Sequence, residues 1–225
     1  MADLLMLCPS RGRPESINDP DTGLRSIWGS VTTDADLLVA VDEDDPKVAE
    51  YGTDVQVMPG KTTGLAPILN TLAAQFVSQY DYIGFLGDDH RPRTVGWDRM
   101  LIAELGGKPG VAYGDDLFQG KKAATAVVIS SPILAALGYM VPPGVIHLYM
   151  DIFWIQLGMD LGNVRYCPWV VMEHMHPSAG KGKWDDGYAR DNSIVAYSRD
   201  EWAYEAYLKS LWPSELARIR GILGG

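Results

Sequence analysis

Residues 55–90 read VQVMPGKTTGLAPILNTLAAQFVSQYDYIGFLGDDH, and their pattern of apolar residues indicates the fold class. It contains two short apolar runs, Val55–Met58 and Tyr82–Leu86, each of which is typical of a β-strand. Between them, in Gly64–Tyr80, apolar residues recur at helical spacing. A strand, a helix and a second strand in succession predict an α/β domain whose sheet is covered by helices.

The predicted helix has recognisable signals at its N-terminus. Thr62 and Thr63 are candidate N-caps, because a hydroxyl oxygen can accept from the free amides of the first turn. Pro67 falls within that first turn, where proline is tolerated. We therefore expect the helix to begin close to Gly64.

Two more unbroken apolar runs, Leu4–Cys8 and Leu37–Val41, lie upstream of this unit. Such runs are typical of strands buried on both faces of a parallel sheet. No internal repeat or linker interrupts the chain, so we expect a single domain. In the second half the same patterns predict helices at Gly96–Leu105, Pro132–Leu137 and Tyr149–Gly158, strands at Val111–Tyr113, Ala124–Ser130 and Asn163–Met172, a loop at Lys181–Asp191, and a terminal helix pair over Trp202–Leu223 broken at Pro213.

The chain of 225 residues is 47% hydrophobic and carries a formal net charge of −10. This apolar share is too high for a disordered chain, and the acidic balance argues against non-specific nucleic-acid binding. Cys8 and Cys167 form neither a disulfide framework nor a CxxC metal site, and we expect two buried free thiols. No segment reaches the roughly 18 apolar residues of a membrane helix, and no basic stretch precedes the first apolar run. We therefore expect no membrane association and a cytoplasmic location.

Polar residues follow each of the first four predicted strands. The segments are CPSRGRP (8–14), DEDD (42–45), PGKTTG (59–64) and GDDH (87–90). Open α/β sheets bind their ligands outside the carboxyl ends of the strands. The coincidence of four polar ends therefore predicts a ligand site at that edge of the sheet.

Charged side chains within these segments suggest the kind of ligand. Asp88 and Asp89 repel each other, and a divalent cation such as Mg²⁺ or Mn²⁺ would offset that cost; a solvated turn is the alternative. Arg11 and Arg13, with Lys61, suit a pyrophosphate group, the alternative being ordinary surface charges. The sequence has neither a GxGxxG nor a Walker A motif, so it does not predict a dinucleotide oxidoreductase or a P-loop protein.

Three residues of the second half are further candidates. His174 and His176 stand two apart on a predicted strand, so their side chains should share one face, where they suit a transition metal or a phosphate. Asp151 stands at the start of a predicted helix among apolar neighbours. It is either an N-cap carboxylate or a general base with a raised pKa.

Six motifs, in order along residues 3–190, resemble those of GT-A glycosyltransferases, especially short family-two-like enzymes, many of them phage-encoded. CPSRGRP resembles the first-strand nucleotide loop, VDEDDP the acidic segment near the base and ribose, and FLGDDHRP with Trp97 the DXD region. GKTTGLAPILNTLA resembles the glycine-containing loop and its helix, MDIFWIQLGMDLGNVRYCP the acidic catalytic motif, and EHMHPSAGK the C-terminal metal-binding histidine. The chain departs from the pattern at Gly87, where the first DXD aspartate stands, and at Met150, where glutamate is common.

The resemblance implies a GT-A, Rossmann-like α/β fold, with a mixed, mainly parallel sheet flanked by helices in one domain, 1–225. Residues 1–95 would form the nucleotide-binding half and residues 96–190 the acceptor and catalytic half. Residues 191–225 would form C-terminal helices.

The implied activity is metal-dependent transfer of a hexose from a nucleotide-sugar, a UDP-sugar, to an acceptor hydroxyl. Asp89, with His174 or His176, would bind Mn²⁺ or Mg²⁺ bridging the diphosphate. Asp151 would take the acceptor proton, with inversion at the anomeric carbon. The nucleotide-sugar would be held by Pro9, Ser10, Arg11, Arg13, Asp42 or Asp44, Lys61, Gly64 and Asp88.

Two other classes are compatible with the sequence. A nucleotidyltransferase also combines an α/β sheet with acidic metal ligands but releases pyrophosphate, and the chain lacks the G-x-G-T-R-type first loop of that class. A nucleotide- or carbohydrate-binding module would leave Asp151 without a role. The acceptor stays open between a protein, a glycan, a modified DNA base and a small molecule.

Overall fold

Strand β1 (Leu4–Ser10) lies in the parallel half of the sheet. In the computed structural model, which describes residues 3–61 and 64–224, it pairs in parallel with β2 (Ala35–Asp42) and β4 (Tyr82–Phe85). A third parallel pairing joins β2 to β3 (Gln56–Met58). Because these strands run the same way, their carboxyl ends meet at one edge of the sheet.

The second half of the sheet is mixed. It contains β5 (His90–Pro92), β6 (Val111–Asp115), β7 (Val127–Ser130) and β8 (Val164–His174). Strand β7 pairs antiparallel with β4 and β6, β6 pairs parallel with β8, and β5 pairs antiparallel with β8. The resulting order, β3-β2-β1-β4-β7-β6-β8-β5, is the mixed, mainly parallel sheet that the resemblance implies.

Helices cover both faces of this sheet, as the apolar runs predict. Alternate residues of β1 point to opposite sides, so Leu5 and Leu7 enter one buried cluster while Leu4 and Met6 enter the other. The first cluster includes residues of α3 (Leu65–Phe76), α5 (Ser131–Leu137), α6 (Met150–Asp160), α8 (Ile194–Ser210) and α9 (Trp212–Leu223). The second includes residues of α1 (Pro14–Asn18), α2 (Leu24–Val31) and α4 (Trp97–Glu104).

Several elements differ from the sequence-based expectation. Helices α1 and α2 and the three-residue strand β5 were not expected at all. The loop prediction for Lys181–Asp191 is wrong at its end, because residues 186–191 form α7 (Asp186–Asp191), whose first turn is capped by Asp185. The cap candidates Thr62 and Thr63 lie outside the described residues.

The terminal helix pair is longer than expected. Helix α8 begins at Ile194 rather than at Trp202, because the Ser193 hydroxyl accepts from the amide of Ala196 and caps the helix there. The break falls at Leu211, and Pro213 stands within the first turn of α9, where its missing N–H costs nothing.

Both cysteines, Cys8 and Cys167, are buried and free, as expected. Within residues 3–61 and 64–224, no helix combines the length and apolar character that a bilayer crossing requires.

Candidate functional site

A cavity of about 700 Å³ opens where the carboxyl ends of β1, β2 and β4 meet the end of β8. Two of the predicted site residues do not line it: Lys61 is exposed, and Asp44 lies outside the wall. The other predicted residues all contribute to the wall, and they are Pro9, Ser10, Arg11, Arg13, Asp42, Gly64, Asp88, Asp89, Asp151, His174 and His176.

Asp89, His90 and His174 form a compact cluster in this wall. Asp89 Oδ2 lies 3.1 Å from His174 Nε2, and Asp89 Oδ1 lies 3.3 Å from His90 Nδ1. The antiparallel register of β5 on β8 places His90 directly opposite His174, so their rings stack with centroids 4.1 Å apart. Among the described residues, these are the three whose ligand atoms all lie within 4.8 Å of one another.

The cluster has the donor set of a cation site. His90 Nε2 and His174 Nδ1 are buried and have no hydrogen-bond partner, which is uncommon for buried polar atoms. Two imidazoles and one carboxylate suit a transition ion such as Mn²⁺ better than Mg²⁺, which prefers oxygen ligands. The candidate ligand atoms of the two imidazoles are the nitrogens that face Asp89, namely His90 Nδ1 and His174 Nε2.

Charge in the cluster is strongly redistributed. Burial works against ionisation of Asp89, but hydrogen bonds with His174 and His90 hold its pKa well below the usual range. Burial likewise opposes a charge on His174, but Asp116 and Asp89 together raise its pKa to about 9. Burial and the nearby charge of His174 lower the pKa of His90. One positive charge, on His174, is thus held between two carboxylates.

His176 lies beside this cluster. Strand β8 ends at His174, and the chain then turns into a short 3-10 helix (Pro177–Ala179). The prediction that His176 stands on the strand is therefore wrong. Its ring is still 5.2 Å from that of His174, and its Nδ1 accepts from the amide of Ser178 at 3.1 Å.

Asp88 ties the turn after β4 to the end of β1. It accepts from Ser10 Oγ at 2.6 Å and from Arg13 at 3.2 Å. Burial raises the pKa of Asp88; Arg13 opposes this and the adjacent Asp89 carboxylate adds to it. The buried Arg91 donates to the carbonyl oxygens of Asp88 and His90, which holds the turn in place.

Arg11 and Gly64 shape another part of the wall. Arg11 donates to Asp42 at 3.3 Å and to Asp44 at 2.5 Å, so Asp44 is connected to the cavity through a guanidinium. Gly64 has a φ of +101°, and a Cβ there would lie 2.3 Å from a methyl group of Ile146. Only glycine allows this close approach.

Helix α7 covers the cluster, which the loop prediction did not anticipate. Arg13 makes two hydrogen bonds with Asp185, at 2.7 and 2.9 Å, and lies 3.9 Å above the ring centre of Tyr188. The Tyr188 hydroxyl donates to Asp89 Oδ2 at 2.6 Å. Burial and the Asp89 charge raise the pKa of Tyr188, so the hydroxyl keeps its proton.

Asp151 lies in the first turn of α6 and faces the cavity. The N-cap of α6 is Tyr149, so the alternative that Asp151 is the N-cap residue is wrong. The Oδ1 of Asp151 nevertheless accepts from the amide of Ile152 at 2.9 Å. Burial raises the pKa of Asp151, and that amide opposes the shift. A carboxylate with a raised pKa beside a cavity is a suitable proton acceptor.

Asp116 was missed by the sequence reasoning. It ends a Gly-Asp-Asp triplet at the end of β6, and the rule applied to the first four strands would have found it there. Its Oδ2 lies 3.7 Å from His174 Nδ1. It also accepts from the amides of Phe118, Gln119 and Gly120. Burial opposes its ionisation, but His174 and the amides of Gly120 and Phe118 lower its pKa.

Comparisons by sequence find no matching family model and no matching curated protein. Comparisons by structure do find similar proteins. The mannosyltransferase PcManGT from Pyrobaculum calidifontis, in complex with GDP-Man and Mn²⁺, is 14% identical with a TM-score of 0.55, over 99% of this chain and 74% of that one. S. aureus TarS 1–349 is 9% identical with a TM-score of 0.57, over 98% of this chain and 81% of that one.

A third similar structure is glucosyl-3-phosphoglycerate synthase from Mycobacterium tuberculosis, in complex with Mn²⁺, UDP and phosphoglyceric acid. It is 14% identical with a TM-score of 0.55, over 78% of this chain and 71% of that one. Likeness at this level of identity is informative about architecture. The chain has the GT-A fold of the nucleotide-diphospho-sugar glycosyltransferases.

Proposed function

We propose that this chain is a metal-dependent glycosyltransferase that moves a hexose from a UDP-sugar to an acceptor hydroxyl, with inversion. The observation that carries the proposal is that Asp151 and the Asp89–His90–His174 cluster face one cavity. A cluster suited to a cation and a separate carboxylate with a raised pKa are the two groups that such a transfer requires.

The metal ligands in this proposal are Asp89, His90 and His174, with His176 beside them. The ion is Mn²⁺ or Mg²⁺, and it would neutralise charge on the departing nucleoside diphosphate. The similar structures in complex with Mn²⁺ support this assignment. A divalent ion that replaced the proton of His174 would offset the charges of both Asp89 and Asp116, whereas the proton offsets only one of them.

Residues 1–95 hold the nucleotide in this proposal and residues 96–190 supply the catalytic groups. Arg11 and Arg13 lie at the wall of the donor half, where a guanidinium can bind a diphosphate oxygen. Pro9, Ser10 and Asp42 line the same wall, towards the nucleoside. Helices α8 and α9 follow, and buried residues of both pack in the same cluster as those of α5 and α6.

Asp151 acts as the general base. The acceptor hydroxyl gives its proton to the Asp151 carboxylate while its oxygen forms a bond to the anomeric carbon. The bond from that carbon to the diphosphate oxygen breaks on the opposite side, and the nucleoside diphosphate leaves with the electron pair. A single displacement of this kind inverts the anomeric configuration.

Asp151→Asn tests this proposal directly. In a screen of nucleotide-sugars with Mn²⁺, the wild-type protein should release UDP from a UDP-sugar, and chelator should abolish the release. Asp151→Asn should keep donor affinity and lose transfer by about a hundredfold or more, the usual scale of general-base catalysis. Asp160→Asn is the matched control, because Asp160 lies at the far end of α6, where it accepts from Trp212 Nε1 at 2.8 Å.

Three outcomes would contradict the proposal. Release of pyrophosphate would indicate a nucleotidyltransferase, and nucleotide binding without turnover would indicate a binding module. Wild-type transfer rates in Asp151→Asn would remove Asp151 as the base.

A further inference from the structure

Asp200 is a fully buried carboxylate in α8, outside the cavity wall, with 0% of its surface exposed. Its Oδ2 accepts from the amides of His147 and Leu148, both at 2.8 Å, and its Oδ1 accepts from the amide of Ile146 at 3.3 Å. Arg199 Nε donates to the same Oδ1 at 2.7 Å. One side chain thus holds three consecutive backbone amides of another segment.

The segment that Asp200 holds leads into the proposed base. Residues 146–148 form no regular secondary structure, and α6 with Asp151 begins shortly after them. Without Asp200 these amides would have no acceptor from a helix or a strand ladder. The Asp200 carboxylate therefore supplies the hydrogen-bond acceptors that backbone carbonyl groups supply in helices and strands.

Two more contacts hold the segment, one from α3 and one from α8. The carbonyl oxygen of Ile146 accepts from the amide of Ala66 at 2.9 Å, at the start of α3. The ring of Tyr149 packs against Tyr204 of α8, with centroids 5.7 Å apart. Tyr149 has a φ of +66°, a left-handed conformation that is uncommon for residues other than glycine and that persists only where surrounding contacts impose it.

We propose that Asp200 is a positioning residue: by holding the amides of residues 146–148, it fixes the entry into α6 and so directs the Asp151 carboxylate into the cavity. This inference rests on the function proposed above. A carboxylate is needed because both oxygens are used as acceptors by several donors. An asparagine would present an NH₂ group to Arg199 or to the backbone amides, where only an acceptor fits.

Asp200→Asn tests the proposal because it is nearly isosteric. Donor-binding stoichiometry from calorimetry with UDP and Mn²⁺ gives the concentration of folded sites, and the turnover number is then expressed per site. We expect the turnover number per site to fall by about a hundredfold, since a displacement of roughly 1 Å can have an effect of that size. The KM for the donor should stay within about twofold of the wild-type value, because a change confined to the chemical step leaves donor binding intact.

Hydrogen exchange supplies a readout that is independent of turnover. The amides of residues 146–148 should exchange faster in Asp200→Asn than in the wild-type protein. Asp200→Ser is the second variant, in case the first does not fold, because its smaller side chain leaves room for water and keeps one acceptor. In the wild-type protein itself, exchange of His147 and Leu148 as fast as that of the exposed Gly107 would overturn the proposal without any variant.

Glu215→Gln is the matched control. Glu215 is a partly buried carboxylate of α9 that accepts from Tyr207 at 2.9 Å and does not line the cavity. It should leave the turnover number per site and the exchange of residues 146–148 unchanged. A wild-type turnover number per site in Asp200→Asn, or an equal loss in Glu215→Gln, would overturn the positioning role. Absence of turnover in the wild-type protein would instead refute the proposed function.

Discussion

The sequence Gly-Asp-Asp occurs twice at strand ends, as residues 87–89 after β4 and as residues 114–116 at the end of β6. The last aspartates of the two triplets lie on opposite sides of one ring. Asp89 Oδ2 is 3.1 Å from His174 Nε2, and Asp116 Oδ2 is 3.7 Å from His174 Nδ1. The two carboxylates nevertheless have different surroundings.

The difference lies in which donors surround each carboxylate. Asp116 is 2% exposed, lies outside the cavity wall and accepts from three amides of the following turn and from Thr125. Asp89 lines the cavity, and its side-chain partners are His90, His174 and Tyr188. In the second triplet, backbone amides occupy the carboxylate of Asp116, which therefore has a structural role. In the first triplet no backbone amide of the described residues binds the carboxylate of Asp89, which therefore stays a candidate metal ligand.

Removal of Asp89 should have the largest effect and tests the ligand side of the comparison. Asp89→Ala removes the one carboxylate of the cluster, so Mn²⁺ binding should be lost and transfer should fall by about a thousandfold, the scale of several kcal/mol. Mn²⁺ titration and UDP release measure the two effects. Unchanged Mn²⁺ affinity in Asp89→Ala would show that Asp89 is not a metal ligand and would remove the proposed difference between the two triplets.

Asp116→Ala should have a smaller effect on the metal and a larger effect on stability. Loss of a carboxylate behind a ligating histidine typically weakens metal affinity by about 10–100-fold. The freed turn amides should lower the free energy of unfolding by roughly 1–3 kcal/mol. Urea denaturation measures the effect on stability, and Mn²⁺ titration measures the effect on metal affinity. Asp115→Ala is the control, because it leaves both Asp89 and Asp116 beside His174. An Asp116→Ala protein as stable as the wild type would contradict the framework role.

The glycines of the two triplets offer a third test. A Cβ at Gly114 would lie 2.3 Å from the backbone oxygen of Val170, whereas one at Gly87 would lie 2.6 Å from the side chain of Asp89. Gly114→Ala must therefore shift β6 against β8, and we expect a loss of about 1–3 kcal/mol in the free energy of unfolding. Gly87→Ala should lower stability less and weaken Mn²⁺ binding. The reverse order, from denaturation and titration of both variants, would overturn this distinction.

The smallest expected effect is on the pH dependence of the turnover number. This dependence should reflect Asp151 and not an aspartate of either triplet. Asp151 must be ionised to act as a base, and burial raises its pKa above the usual value of about 3.9. The turnover number at saturating Mn²⁺ should therefore fall as the pH drops through that raised pKa, about tenfold per pH unit. This limb should persist in Asp116→Ala. A profile that is flat down to about pH 4 would contradict the assignment.

Local patterns predict the parts of this molecule that depend on neighbouring residues in the chain. The buried apolar runs predict β1 to β4, and the shared direction of those strands brings their polar ends together, so Ser10, Asp42 and Asp88 could be grouped from sequence. His90 belongs to one of those polar segments, but its position opposite His174 could not be predicted, because it depends on the register of a three-residue polar strand against β8. Asp200 could not either, because its partners lie more than 50 residues away in a segment with no periodic pattern.

The hydrogen bond from Tyr188 to Asp89 Oδ2 links two events that are usually considered separately. A cation that takes this oxygen competes with a phenol carried by α7, and α7 is in turn fastened to Arg13 through Asp185. Cation binding at Asp89 and loss of this hydrogen bond would then be coupled, so that each favours the other by the same factor. Tyr188→Phe should therefore raise the affinity for the ion, and the size of the gain would measure how strongly this hydrogen bond opposes ion binding.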